Sequence, residues 1–368
     1  MTNEAIVYNC HVDWDWIKQR PQFLAEGLAE YYDVYVHYRK QYHRNDLQKK
    51  EKTLANQEQT ILCPYRTLPA FRNKYWALTR LNQGINKQKL TALLQKTNAQ
   101  KLWLTYPSQF YEIPKKYCGL VIYDCMDDQL RLGCSEAWKP RIVEAEKRLV
   151  NRADLIFASS NHLVSLLYER YPDDRKKIQL IRNACTEEFA ESEPVKLPGK
   201  KDIVVAGYIG TIASWFDFQS VIESLERFPN LHYNLIGPIG CSDLPRHDRI
   251  HYLGPVPHNE LRNQVKEVDF LVMPFIRNTI VEAVDPVKLY EYISFGRSII
   301  CTDYPEVDYF HGFIKKYQNC DEYCALIYEN MNNNHPIFSV SQAKDFLKEN
   351  SWKCRSERIH QIIEGVKN

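Results

Sequence analysis

Two α/β halves, each built on a doubly wound parallel sheet, are what this sequence predicts, and three observations predict them. Short β-branched and aromatic runs alternate with longer helical patterns almost throughout the chain. The alternation stops once, at the polar, proline-bearing stretch CTEEFAESEPVKLPGKK (185–201), and then restarts. At 368 residues the chain is also long for a single core. Strand, helix, strand in succession implies parallel pairing.

In the first half the strand candidates are AIVYNC (5–10), DVYVHY (33–38), TILCP (60–64), KLWLTY (101–106), LVIYDCM (120–126), DLIFASS (154–160) and IQLIRNA (178–184). RPQFLAEGLAEY (20–31) and SEAWKPRIVEAEKRLVNR (135–152) carry helical periodicity between them. The 185–201 stretch reads as an interdomain linker. After it come DIVVAGYIG (202–210), HYNLIG (232–237), IHYLGPV (250–256), DFLVMPF (269–275) and SIICTD (298–303), with FQSVIESLERF as one of the helices between. The tail from Phe346 reads as one amphipathic helix with a break near Asn350–Ser351. The expected division is 1–190, 191–349 and a terminal helix over 350–368. No internal repeat or low-complexity tract is present.

Composition narrows the function classes. With 44% apolar and 26% charged residues the chain is ordinary for a soluble globular protein. No stretch approaches the roughly 20 apolar residues that span a bilayer. The opening MTNEAIVYNCHVDWDW lacks a signal-peptide pattern and reads as a first strand. Eleven cysteines contain no CxxC pair, and no His cluster accompanies Cys320 and Cys324, so no metal site is expected. Thiols used in this way fit a reducing cytoplasm.

Net charge is +2 but uneven: residues 1–195 hold 29 Lys and Arg against 24 acids, and the remainder 19 against 22. Residues 39–101 carry 14 basic side chains against three acids, Asp46, Glu51 and Glu58. Within them, PYRTLPAFRNKYWALTR (64–80) interleaves Tyr65, Phe71, Tyr75 and Trp76 with Arg66, Arg72, Lys74 and Arg80. That mixture suits an anionic membrane surface. The alternative is a solvated basic helix whose aromatics pack inward.

One segment, DPVKLYEYISFG (285–296), carries the most chemistry. Asp285 is a candidate N-cap with Pro286 after it, and Gly296 a candidate C-cap. Lys288 and Glu291 lie three apart on one face. A cation in the first turn conflicts with the helix dipole, so Lys288 is either solvated or faces an anion. A diphosphate there would meet Lys288 and N–H groups near Leu289 and Tyr290, while Glu291 could accept from two vicinal hydroxyls of a ribose.

At the other half, Asp124, Asp127 and Asp128 cluster at a strand end, where Asp127 or Asp128 could act as a base or hold an acceptor hydroxyl. The plain alternative is loop capping. His11, Trp14 and Asp15 follow the first strand. Trp14 could stack on a sugar or pack in the core. Arg20 before Pro21 marks an anion site or merely a helix start. No G-x-G-x-x-G follows any strand, which disfavours a dinucleotide oxidoreductase; Gly207 and Gly210 come nearest.

The 286–296 segment resembles the nucleotide-sugar helix of GT-B glycosyltransferases, specifically family 4-like enzymes with P-x-K-L-x-E-Y-x-x-x-G. GYIGTIASWFDF resembles their glycine loop, YNLIGP and YLGPVPHNEL the next two strands and base-binding turn (Val256), and Asn350 to Arg355 the terminal helix that crosses back onto the N-terminal domain. WDWIKQRPQFLAEGLAE and VIYDCMDD resemble teichuronic-acid-type enzymes. The resemblance covers nearly the whole chain and implies two Rossmann-like domains facing across a cleft. Glu291 matches the second glutamate of the family's E-x7-E motif, and the first falls at Ala283, beside Glu282. The loop Gly210-Thr211 lacks the Arg and Lys that relatives use, so Lys288, Arg182 or Arg277 must neutralise the diphosphate.

The resemblance further implies metal-independent, retaining transfer from a UDP-sugar to a saccharide or polyprenyl-linked acceptor. The setting it implies is bacterial surface polysaccharide synthesis, at the inner face of the membrane and without nucleic acid. The rival classes are a sugar-nucleotide epimerase of the same architecture and a nucleic-acid-binding α/β protein, the latter separable by salt-sensitive RNA binding.

Overall fold

A computed structural model describes residues 3–14, 18–40, 60–68, 76–132, 136–199, 202–257 and 260–366. The chain divides into two compact units, residues 1–182 with 352–368, and residues 183–351.

Among the described residues the first unit holds seven strands: β1 (Ala5–Cys10), β2 (Asp33–Arg39), β3 (Thr60–Tyr65), β4 (Lys101–Leu104), β5 (Leu120–Cys125), β6 (Leu155–Ala158) and β7 (Ile178–Leu180). They pair in parallel in the order β3-β2-β1-β4-β5-β6-β7. All four residues of β4 are buried, as in a strand covered on both faces. Trp103 of β4 stacks with Tyr8 at 5.3 Å and with Phe157 at 5.4 Å. Lys101 is the anomaly, 2% exposed, and Glu4 pairs with its ammonium.

Four helices pack within this first stretch: α1 (Arg20–Leu28), α2 (Trp76–Thr97), α3 (Lys139–Arg152) and α4 (Asn161–Arg170). Helix starts follow the local chemistry: Ser160 Oγ accepts from the N–H of Leu163 at 3.1 Å.

The second unit has a six-stranded parallel sheet: β8 (Val204–Ile209), β9 (Leu231–Ile236), β10 (Ile250–Gly254), β11 (Phe270–Met273), β12 (Ile299–Thr302) and β13 (Lys315–Tyr317). Its order is β10-β9-β8-β11-β12-β13. The three-residue edge strand β13 is an element the sequence reading lacks. The helices are α5 (Glu187–Glu191), α6 (Phe218–Arg227), α7 (Leu261–Val265), α8 (Val287–Phe295), α9 (Cys320–Asn332) and α10 (Val340–Glu349).

The doubly wound reading of both halves therefore stands, but the linker reading of 185–201 is corrected. Glu187–Glu191 is helical, Val195 donates to the Phe295 carbonyl at 3.0 Å, and fully buried Arg297 donates to the carbonyls of Val195 and Lys196. Arg297 also reaches the carbonyls of Val265 and Val268, so this stretch is stitched into the second unit.

The tail is two helices, α10 and α11 (Trp352–Val366), and the break falls where Ser351 pairs with Cys185 in an isolated bridge. Helix α11 belongs to the first unit. Trp352 is 3% exposed and stacks on Phe23 of α1 at 5.1 Å, nearly parallel. Gly27 of α1 lies so close to α11 that a Cβ there would stand 2.1 Å from Ser356 Oγ.

Candidate active site

Parallel strands put all carboxyl ends of a unit at one edge, where loops and helix starts converge. In the second unit that edge is laced by the backbone. The N–H of Gly210 donates to Ile236 at 2.9 Å, that of Gly237 to Gly254 at 2.8 Å, and that of Ile212 to Pro238 at 2.9 Å. Gly237 has φ +147°, and a Cβ on it would stand 2.0 Å from the Gly210 carbonyl oxygen. Only glycine fits there. Thr211 is exposed beyond Gly210, and Val256 is half-buried against the core after β10.

The loop after β8 carries no cation through Asp217, but the N–H of Ile276 donates to the Trp215 carbonyl at 2.7 Å. That bond ties Arg277 to the glycine loop's side of the edge. The Arg277 guanidinium is exposed and pairs with Glu282 at 2.8 Å. Ala283, at the position of the absent glutamate, is buried.

Helix α8 starts at this edge. Gly296 ends it in the left-handed conformation, φ +67°, as its sequence position implies. The N-cap expectation for Asp285 is corrected, because Pro286 occupies that position without a side-chain cap. Buried Asp285 turns inward instead, accepting from the Asn183 N–H at 2.7 Å and the Tyr290 hydroxyl at 3.4 Å. Leu289 is also corrected as a donor contact, because its N–H already donates to the Pro286 carbonyl at 3.0 Å; the Leu289 and Tyr290 side chains are both fully buried.

Lys288 and Glu291 are brought together, Nζ to Oε2 at 2.9 Å. Glu291 is 5% exposed, whereas the Lys288 side chain keeps about a third of its surface in solvent. One turn in, the carboxylate offsets the conflict of a cation with the helix dipole.

In the first unit the three aspartates at the end of β5 fare differently. Arg20 donates to Asp124 from Nη2 at 2.8 Å and from Nε at 3.1 Å, and from Nη1 to the Ile181 carbonyl at 2.7 Å. Both partners are buried, so Arg20 serves the interior and starts α1, and its reading as an anion site for an acceptor is corrected. Asp128 is 3% exposed, accepts both contacts of Arg170 at 3.0 and 3.1 Å, lies 3.3 Å from Arg131, and accepts from the Leu130 N–H. Its carboxylate is thus taken up inside the unit by two arginines and a backbone N–H, and the expectation that it acts on an acceptor hydroxyl is corrected.

Asp127 is half-buried and forms no hydrogen bond or ion pair through its carboxylate among the described residues. Burial pushes it up to about 7, with Asp124 and Asp128 adding to the effect and Arg20 opposing it.

His11 Nδ1 lies 2.8 Å from Thr105 Oγ1. Desolvation lowers its pKa to about 4, so the ring is neutral at pH 7; the residue stays exposed, and solvent tempers the shift. Trp14 is 6% exposed against Tyr38, which corrects the sugar-stacking alternative to core packing. Asp15 lies outside the described residues. Arg182 is a buried residue of the first unit whose carbonyl accepts from Arg355 Nε at 3.1 Å.

Sequence reasoning missed Glu112. It is 6% exposed, held by the side-chain amides of Asn9 at 2.9 Å and Asn86 at 3.1 Å, and desolvation raises its pKa. The lone acid among the apolar residues of FYEIP was the available signal.

In the 64–80 segment Tyr65 is buried, stacked on His37 at 4.2 Å, so it cannot insert into a membrane. Arg66 and Arg80 are exposed. Phe71, Arg72, Lys74 and Tyr75 lie outside the described residues, as does the side chain of Trp76. No described helix is long and apolar enough to cross a membrane.

No protein-family model matches the chain. It is 23% identical over 98% of its length, and 94% of the relative's, to TuaH of Bacillus subtilis (strain 168), whose name provisionally makes it a teichuronic acid biosynthesis glycosyltransferase. Among solved structures it superposes on a glycosyltransferase from Rickettsia africae ESF-5 with TM-score 0.68 and 12% identity, all of both chains covered. It superposes on the lipopolysaccharide outer core galactosyltransferase WaaB with TM-score 0.66 and 12% identity, over 98% of this chain and 99% of that one. S. aureus TarM, solved with fondaparinux, alpha-GlcNAc-glycerol and UDP, gives TM-score 0.64 at 9% identity, over 98% and 99%. These likenesses establish the GT-B fold.

Proposed function

We propose that this chain, a GT-B glycosyltransferase by its fold and its full-length likeness to one, moves a sugar from a nucleoside-diphosphate donor to a saccharide acceptor in bacterial surface polysaccharide synthesis. The observation that carries the donor reading is the Lys288–Glu291 pair at the carboxyl edge of the second sheet. The Lys288 side chain keeps about a third of its surface in solvent, which suits a diphosphate, and the buried Glu291 carboxylate can accept from ribose hydroxyls. Uridine is the base this reading favours.

Glycosyl transfer with retention needs little from a dedicated base, because the departing diphosphate oxygen can take the acceptor proton. The chain's own task is then to neutralise the leaving diphosphate and hold both substrates in line. Lys288 and Arg277 supply the cations that the glycine loop lacks, and no metal is called for. In the first unit Asp127, whose carboxylate is paired with no described arginine, orients the acceptor hydroxyl, and His11 follows β1 at the carboxyl edge of the same sheet. A polyprenyl-linked acceptor, met by residues 64–80 at the inner face of a membrane, completes the reading.

Thermal-shift titration with UDP-, ADP- and GDP-sugars tests it, since ligand bound to the native state raises the melting temperature. Lys288→Ala and Glu291→Ala should each weaken UDP-sugar binding by about 1–3 kcal/mol. Unchanged binding in both variants sinks the donor assignment. Release of free sugar or epimerised donor, with no transfer to any acceptor, sinks the transferase assignment.

A further inference from the structure

The amino-terminal edge of the second sheet, opposite the edge that holds α8, carries an open groove of about 570 Å³. Asp202 precedes β8 and Asn230 precedes β9, so both sit at this edge, and α9 with Asn332 walls it. The floor is apolar, from Phe228 and Met331. Over it stands Tyr328, 61% exposed, more than any other large apolar side chain described. Its ring lies 6.1 Å from that of Phe228, the planes 25° apart. An aromatic held so openly by its neighbour is an unusual use of a side chain that cores normally absorb.

We propose that this groove binds a neutral oligosaccharide, a segment of the acceptor or product chain lying beyond the reacting end; this rests on the transferase reading above. The chemistry of the lining selects the class. A pyranose has one face of C–H groups, which an aromatic face accommodates, and a rim of hydroxyls. The Asn230 side-chain amide can donate and accept, Asn332 keeps its Oδ1 as an acceptor while its Nδ2 donates to the Tyr328 carbonyl at 2.8 Å, and the Asp202 carboxylate accepts, which together match hydroxyls. Among the described residues no Lys or Arg lines the groove, and the Asp202 carboxylate disfavours an anion. Its volume falls within the range that small ligands fill, about 300–1,000 Å³. Binding here would hold a growing chain on the enzyme between transfers and raise its effective concentration.

The test titrates the full-length protein with hexasaccharides of α-linked glucose, β-linked glucose and β-linked N-acetylglucosamine, read by calorimetry and amide chemical shifts. At least one should bind, with shifts centred on Tyr328 and Asn230. Tyr328→Ala should weaken it roughly five- to tenfold, the loss of one aromatic stacking contact, while Tyr328→Phe retains it. Both variants should keep the parental thermal shift with UDP-sugar, and Glu291→Gln should keep the oligosaccharide affinity. If none of the three sugars binds, or Tyr328→Ala binds as the parent does, the groove is not a saccharide site. If Tyr328→Ala instead abolishes self-association in sedimentation, the groove is a protein contact and the proposal falls. Saccharide binding at Tyr328 without any transferase activity would overturn the transferase reading alone.

Discussion

At the end of β5 three carboxylates stand within five residues, and the arginines around them pair with two of the three. Asp124 is claimed by Arg20 and Asp128 by Arg170 and Arg131, which leaves Asp127 raised to about 7 by burial and by its two acidic neighbours. Its ordinary value is 3.8, so across the interval between the two values the folded state binds more protons than the unfolded one. Stability therefore falls as pH rises through that interval. Asp127→Asn should remove the dependence, gaining about 1–2 kcal/mol more over the parent at about pH 8 than at about pH 5.5 in urea unfolding. An equal gain at both pH values would mean the carboxyl titrates normally. Arg20→Met should do the reverse in kind: stranding buried Asp124 costs about 3–5 kcal/mol at neutral pH by the same measurement.

At the scale of elements, two close approaches leave room for one residue type each. Gly237 combines a left-handed φ with a backbone contact to Gly210, so Gly237→Ala should distort the laced ends of β8, β9 and β10. The expected signature is loss of UDP-sugar thermal shift together with a lower melting temperature. A variant that melts and binds as the parent does would remove this edge from the donor site. The seam between α1 and α11 depends on Phe23 against Trp352 and on Gly27 beneath Ser356. Trp352→Ala should cost the first unit about 3–5 kcal/mol, measured by denaturant midpoint.

For the molecule as a whole, the chain builds most of the first unit, all of the second, and then returns to finish the first with α11. The second unit is therefore contiguous and the first is not. A fragment of residues 183–351 should melt cooperatively by circular dichroism, whereas a chain ending at 351 should lose the transition of the first unit. Truncation removes Trp352 from Phe23 and the His360 ring that bonds the Tyr32 hydroxyl at 2.8 Å. A truncated chain that keeps both transitions would show that α11 is an accessory rather than part of that core.

The sequence alone determined the two parallel sheets, because buried parallel strands must be continuous apolar runs and their crossovers must be periodic helices. It also determined the Lys288–Glu291 face and the Gly296 stop, since a three-residue spacing and a helix C-cap are local properties. Tertiary structure decided the rest. Residues 185–201 resembled a linker because their partners, Phe295 and Arg297, lie about a hundred positions away. Asp285 left its capping position for Asn183, also distant in sequence. Asp127 and Asp128 were indistinguishable side by side, and the fold separated them by delivering Arg170 to one alone. A carboxylate's charge state depends on which cations long-range packing brings within a few ångströms, and no local pattern encodes that.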